Sequence, residues 1–220
     1  MKDIRQPKIP TSKKSNENMD LQILSSALDT IFINSHNYDE IVLIDITKAL
    51  FECCKRIINE NEFKNDHLIT YLHFNLTKLL ELSVINIKRI YVFWDVIVPM
   101  IEFITQNNIM NISLFSMDCL AIILLFAFNQ FRPIINEKNN PKVEMWSDQK
   151  WQKTLIRPYK SIAKLNVAYD INTNIVFCLS KIMQNCGTWF NTRGWSSFIE
   201  ICFVLIDKAD DETLIENGKK

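Results

Sequence analysis

The sequence predicts an all-α protein, an armadillo- or HEAT-like helical-repeat solenoid of about eight helices. Three observations predict it. Apolar residues recur at spacings of three and four almost everywhere after residue 20, and no alternating apolar–polar run bounded by turn signals marks a strand. Only 3 of the 220 residues are glycine, against a usual share of about 7%, and glycine supplies the positive-φ turns that hairpins need. Hydrophobic residues make up 48% of the chain and charged residues 23%, enough apolar matter for a substantial core and too much for wholesale disorder.

The polar start of the chain, residues 1–19, reads as a disordered tail. A first helix then carries Leu21, Leu24, Leu28, Ile31 and Phe32 on one stripe, with Asp20 placed to cap it. The second runs from about Asp39 to Ile58 through Leu43, Ile46, Leu50, Cys53 and Ile57. Its acids lie in the first turn and Lys55 and Arg56 in the last, as the helix dipole favours. A third follows Asp66 with Leu68, Leu72, Leu76, Leu79 and Leu80, and a fourth passes through Ile90, Phe93, Ile97, Ile101 and Ile104. Pro99 falls inside the fourth and predicts a kink.

The fifth helix, with Ile112, Phe115, Cys119, Ile122, Ile123 and Phe126, is apolar on most sides and so predicted to be central. Its most apolar run, from Cys119 to Phe128, is short of the about 20 residues a membrane span needs. Residues 132–150 hold two prolines, adjacent asparagines and mixed charge, and read as a long loop. The sixth helix runs from about Trp151 to Lys164 and is interrupted by Pro158. The seventh, with Ile175, Leu179, Ile182 and Cys186, is ended by Gly187, and the eighth holds Trp195, Phe198, Ile199, Cys202 and Ile206. Residues 20–207 thus form the expected domain, and 208–220 a charged tail that begins another helix or trails off. An irregular helical bundle is the competing architecture, because no strict repeat period emerges.

Composition excludes several functions. Lysine plus arginine and aspartate plus glutamate number 25 each, for a formal charge of zero, so the cationic surplus of a nucleic-acid binder is missing. No glycine-rich phosphate loop and no nucleophile elbow is present, which removes the common nucleotide-dependent enzymes. The six cysteines, at 53, 54, 119, 178, 186 and 202, include no Cys-x-x-Cys pair and read as reduced thiols of an intracellular, cytoplasmic chain.

No constellation argues for catalysis. The histidines are His36, His67 and His73. The last two are six apart, on different faces of a helix, so no metal site is expected. Asp210 and Asp211 read as solvated charge. Cys54 is the least poor nucleophile, yet it has no histidine beside it to act as base. No cofactor is expected. Trp94 and Trp195 read as core aromatics, with partner anchoring as the alternative, and Trp146 as the exposed one. Asn86, Arg89 and Trp94 cluster at the junction of the third and fourth helices. There the guanidinium of Arg89 can bond several carbonyls or a carboxylate, Asp118 being one possible partner.

Those same residues carry a resemblance. Phe74 to Trp94, FNLTKLLELSVINIKRIYVFW, resembles a segment of the large, brefeldin-A-inhibited type of guanine-nucleotide exchange factor for ARF GTPases, with its F-S-L-Q-K and N-M-x-R-I-x-x-x-W patterns. Phe74, Leu76, Lys78, Asn86, Arg89, Ile90 and Trp94 match in register. FSMDCL resembles the family's F-A-V-D-S-L at Phe115, Asp118 and Leu120. LIRPY resembles F-L-R-P-F at Arg157, Pro158 and Tyr159, and RGWSSF resembles S-G-W-K-x-I/F at Gly194, Trp195 and Phe198. The long loop before Pro158 and residues 191–193 depart from the family's pattern.

In that family the matching stretch is the HDS region, downstream of the catalytic domain, built of armadillo- or HEAT-like helix pairs. The resemblance implies a non-catalytic, regulatory role through protein contacts in Golgi or endosomal vesicle traffic. Its implied partners are an ARF-family small GTPase or the exchange factor's catalytic domain, and Golgi membranes reached through such partners. The catalytic F-R-L-P-G-E loop has no counterpart in the sequence, so exchange activity is not expected. The alternative reading is an armadillo-like scaffold unrelated to ARF exchange.

Overall fold

A computed structural model describes residues 26–59, 65–131, 150–165 and 167–218, with the backbone alone for 65, 66 and 210–218. Among these residues there are eight α-helices and no strand. Helix α1 covers 26–33 and passes into a 3-10 turn, Asn34–Asn37. Then follow α2 (Glu40–Asn59), α3 (Asn65–Ile85), α4 (Ile90–Gln106), α5 (Met110–Phe131), α6 (Trp151–Lys164), α7 (Tyr169–Cys186) and α8 (Thr192–Gly218). Asp20, residues 1–19, Trp146 and the loop up to residue 149 lie outside the described residues.

The helices sort into two layers. The even members follow one another in one layer, α2 against α4, α4 against α6 and α6 against α8. In the other layer α3 packs on α5 and α5 on α7, with the turn after α1 against α3. From α2 to α8 each helix therefore meets a second neighbour along the chain as well as a first. That is the stacking of a helix-pair solenoid, and it decides against an irregular bundle.

Residue chemistry sets the layers. In α5 Ile112, Met117, Cys119, Leu120, Ile123, Leu124, Ala127 and Phe128 are all buried, because α5 is enclosed by α3, α4 and α7. Its full length is apolar enough to cross a membrane by length and composition, a longer run than Cys119 to Phe128 alone, yet 61% of that stretch is buried inside the protein. In α2, Leu43, Thr47, Leu50 and Cys54 recur at threes and fours and point inward, while Glu40 stands in the first turn and Arg56 in the last.

Several expectations change in detail. Helix α4 continues through Pro99 to Gln106 without a break, since Pro99 lies on its exposed side, where solvent can reach the carbonyl its ring leaves without a donor. Helix α6 likewise runs through Pro158. Gly187 ends α7 as expected, with φ −59°, and the chain then tightens into a 3-10 turn, Gly187–Trp189. Among the described residues the one in the left-handed region is Asn108, φ 51°, at the turn from α4 to α5. Asparagine tolerates that region, so glycine scarcity is no obstacle to the tight link. The eighth helix extends to Gly218 instead of stopping near Ile206.

Candidate functional site

Trp94, Pro158, Tyr159 and Gly194 of the family-like residues meet on α6. Pro158 has no N–H, so the carbonyl of Thr154, one turn earlier, loses its helical donor. The indole Nε1 of Trp94, from α4, donates to that oxygen at 3.3 Å. Trp94 is 3% exposed, so packing holds the indole in place for that bond. One turn on, the buried Tyr159 donates its hydroxyl to the carbonyl of Met117 in α5 at 3.4 Å. Burial, with the nearby Cys178 thiol and Asp118 adding to it, holds that phenol well above the usual tyrosine range.

At the start of α6, Gln152 is fully buried. Its Nε2 donates to the carbonyl of Trp189 at 2.9 Å and its Oε1 accepts from the N–H of Asn191 at 2.8 Å. Asn191 in turn caps α8, its Oδ1 accepting from the N–H of Gly194 at 2.9 Å. A Cβ on Gly194 would come within 2.3 Å of Gln152 Oε1. Gly194 is thus required for close approach, whereas a Cβ on Gly187 would meet Met183 at 3.4 Å, close to ordinary contact. Gln152 lies outside the matching blocks, and only its burial and its two-sided bonding reveal it.

Asn86 and Arg89 fasten the other end. Asn86, 2% exposed, donates from Nδ2 to Ser35 Oγ at 2.7 Å and to the Leu82 carbonyl at 3.0 Å. The guanidinium of Arg89 reaches the carbonyls of Tyr38 at 2.7 Å, His36 at 3.1 Å and Ser35 at 3.2 Å, and Asn86 Oδ1 at 2.5 Å. One side chain therefore caps the turn that follows α1. Asp118 is not the partner of Arg89: its carboxylate lies 3.9 Å from the Cys178 thiol. Lys78, 7% exposed, holds Asp29 at 2.7 Å and Glu81 at 2.8 Å. Burial pulls its pKa down, but the two carboxylates outweigh it and raise it above the ordinary lysine value.

Other sequence candidates scatter. Phe74 is 42% exposed on α3, with the Lys78 ammonium 5.7 Å from its ring. Phe115 stacks on His73 at 4.0 Å. Trp195 is not a core residue but 39% exposed, and it joins Phe190 to Phe198 in a ring series that starts from Phe128. Cys54 is buried, and that burial together with the neighbouring Cys53 pushes its thiol up to about 12, the opposite of an activated nucleophile. Among the described residues no His, Cys, Asp and Glu group could hold a metal ion.

Arg157 is exposed and lines two cavities. One, of about 150 Å³, lies between α4 and α6 beside Trp94, Pro99 and Pro158. The other, of about 240 Å³, lies between α6 and α8. On its far side α8 turns Trp195, Ile199, Phe203 and Ile206 outward, 39–61% exposed. Those positions, spaced four, four and three, make one apolar stripe.

Comparison with known proteins adds the decisive observation. Residues 141–219 match the family described as Sec7-like HDS, "Mon2/Sec7/BIG1-like, HDS". The resemblance to the HDS region of the large ARF exchange factors is real. Brefeldin A-inhibited guanine nucleotide-exchange protein 1 of Homo sapiens, Mus musculus and Rattus norvegicus is 25% identical to this chain over 198 residues. That match takes in 86% of the chain but spans only 9% of each relative's length. No solved structure matches. The matched HDS segment contains α6, α7 and α8, so the Gln152–Gly194 contact and the outward stripe of α8 both lie within it.

Proposed function

We propose that this HDS-type chain is a non-catalytic regulatory element of the large ARF exchange factor family that works by protein contact. Its partner is an ARF-family small GTPase or the exchange factor's catalytic domain, and it helps bring that machinery to Golgi or endosomal membranes. The observation that carries this reading is the stripe Trp195, Ile199, Phe203 and Ile206 on α8, within the segment that matches the family. A solenoid helix with an exposed apolar face has unfinished burial, which a partner surface completes.

The division of labour supports it. Asn86, Arg89, Trp94, Pro158 and Gly194 are engaged in fastening helices, so they support the surface and do not form it. The test is retention of ARF-family GTPase, loaded with a GTP analogue or with GDP, and of isolated catalytic domain on the immobilised chain. Retention of the GTP form or of the catalytic domain, with no acceleration of nucleotide release by the chain itself, is the expected result. Failure of both to be retained, on protein and on Golgi-like vesicles alike, would overturn the reading and leave a scaffold unrelated to ARF exchange.

A further inference from the structure

The face of α6 that meets α8 carries four cations on one stripe. Lys153, Arg157, Lys160 and Lys164 follow at spacings of four, three and four, and all four line the cavity of about 240 Å³ between the two helices. Across it α8 contributes one carboxylate, Glu200, which pairs with Lys160 at 2.5 Å and holds a contact with Ser196 at 3.4 Å. The Lys160 ammonium lowers the pKa of Glu200, so at neutral pH the groove holds four positive charges and one negative. In a chain of zero formal charge that concentration is a local polarisation.

A second observation points to a ligand. Ser197, 4% exposed, lines the same cavity and its hydroxyl is buried without a hydrogen-bond partner among the described residues. A buried hydroxyl left unbonded costs free energy unless something else bonds it. A hydroxyl donor, a forked guanidinium and flanking ammoniums together match a tetrahedral oxyanion, which offers three acceptor oxygens and up to two charges.

We propose that the groove between α6 and α8 binds a phosphate monoester, as borne on a compact phosphorylated ring such as an inositol phosphate, free or as a lipid headgroup. Arg157 grips two phosphate oxygens, Ser197 donates to the third, and Lys153 and Lys164 flank the group. Glu200 competes for Lys160 and sets the affinity. The site is separate from the α8 stripe: Ser197 is buried and lines the groove, whereas Ile199 and Phe203 are exposed and do not line it, so either can fail without the other.

The test is calorimetric titration of the full chain with inositol trisphosphate, inorganic phosphate and an acidic glutamate-rich peptide, followed by sedimentation with vesicles containing phosphorylated or unphosphorylated phosphatidylinositol. Inositol trisphosphate should bind more tightly than the peptide. Ser197→Ala and Arg157→Lys should each weaken it about tenfold, and E200Q should tighten it about fivefold. Arg157 is exposed, so its variant reports binding without a folding defect, and thermal melting checks the others. Co-sedimentation confined to phosphorylated lipid marks the headgroup as the source, and binding of the soluble compound alone marks the free phosphate. Equal binding of the peptide, or indifference to both Ser197→Ala and Arg157→Lys, would overturn the site and leave only a diffuse basic surface.

Discussion

Trp94 and Pro158 illustrate how two residues 64 positions apart come to need each other. The proline removes an N–H from the middle of α6, and the indole of Trp94 supplies the replacement donor to Thr154. Trp94→Phe should therefore cost about 1–3 kcal/mol in urea unfolding, from the lost hydrogen bond and the lost packing of the buried indole. In a Pro158→Ala background the backbone N–H returns, so the same substitution should cost about 1 kcal/mol less, a coupling that a double-mutant cycle measures directly. Additive costs would show that the indole's bond is of no consequence. Glycine gives a second contrast at this scale. Gly194→Ala forces Gln152 off its two backbone bonds and should destabilise by about 1–3 kcal/mol, whereas Gly187→Ala should be within about 0.5 kcal/mol of neutral.

The thiols give a pH prediction. Burial pushes Cys54 and Cys119 up to about 12 from the ordinary 9.0. A group that holds its proton more tightly when folded contributes stability fully present below 9.0 and lost as pH rises toward about 12. Thermal midpoints should accordingly fall over that window, and a Cys54→Ala, Cys119→Ala double variant should show a shallower fall. A thiol reagent at neutral pH should label the exposed Cys53 in the native chain and leave Cys54, Cys119, Cys178 and Cys186 for the unfolded state.

Among elements, the turn after α1 depends most on a single side chain. Arg89 bonds three of its carbonyls and steadies Asn86, and a lysine ammonium cannot reproduce that fork. In hydrogen exchange Arg89→Lys should therefore lose protection first in 26–38, by about tenfold or more, while α4 and α5 keep theirs. Uniform loss across all helices would instead make Arg89 a residue of the global core. Helix existence and order were legible in the apolar periodicity, as was the centrality of α5. Helix ends were less so. The start of α2 could be read from acids at its first turn, but continuation of α6 through Pro158 and of α8 to Gly218 depends on contacts that no local pattern encodes.

At the scale of the whole molecule, the two-layer stacking explains why so little of the site could be read in advance. Motif residues such as Asn86, Arg89 and Trp94 were visible as unusual side chains at a helix junction. Their partners, Ser35 and Thr154, are ordinary residues about 50 and 60 positions away. Trp195 looked like core because its spacing is that of a core residue. Only the absence of a further helix over α8 among the described residues turns it outward. Zero net charge likewise hid a local imbalance, because averaging over 25 cations and 25 anions erases the four cations that α6 gathers on one side.

The central claim is that fastening and recognition occupy different residues: Asn86, Arg89, Trp94, Pro158 and Gly194 hold the solenoid, and the α8 stripe is the surface proposed to meet the partner. Calorimetric titration of the chain with GTP-analogue-loaded ARF-family GTPase, run on the unaltered protein, an Ile199→Asp, Phe203→Asp variant and Trp94→Phe, tests it most directly. The account predicts measurable binding by the unaltered chain, loss of at least about a hundredfold in the stripe variant at unchanged melting temperature, and near-normal binding by Trp94→Phe at temperatures where it stays folded. Unchanged binding by the stripe variant together with loss in folded Trp94→Phe would contradict it, and would place recognition on the fastening residues themselves.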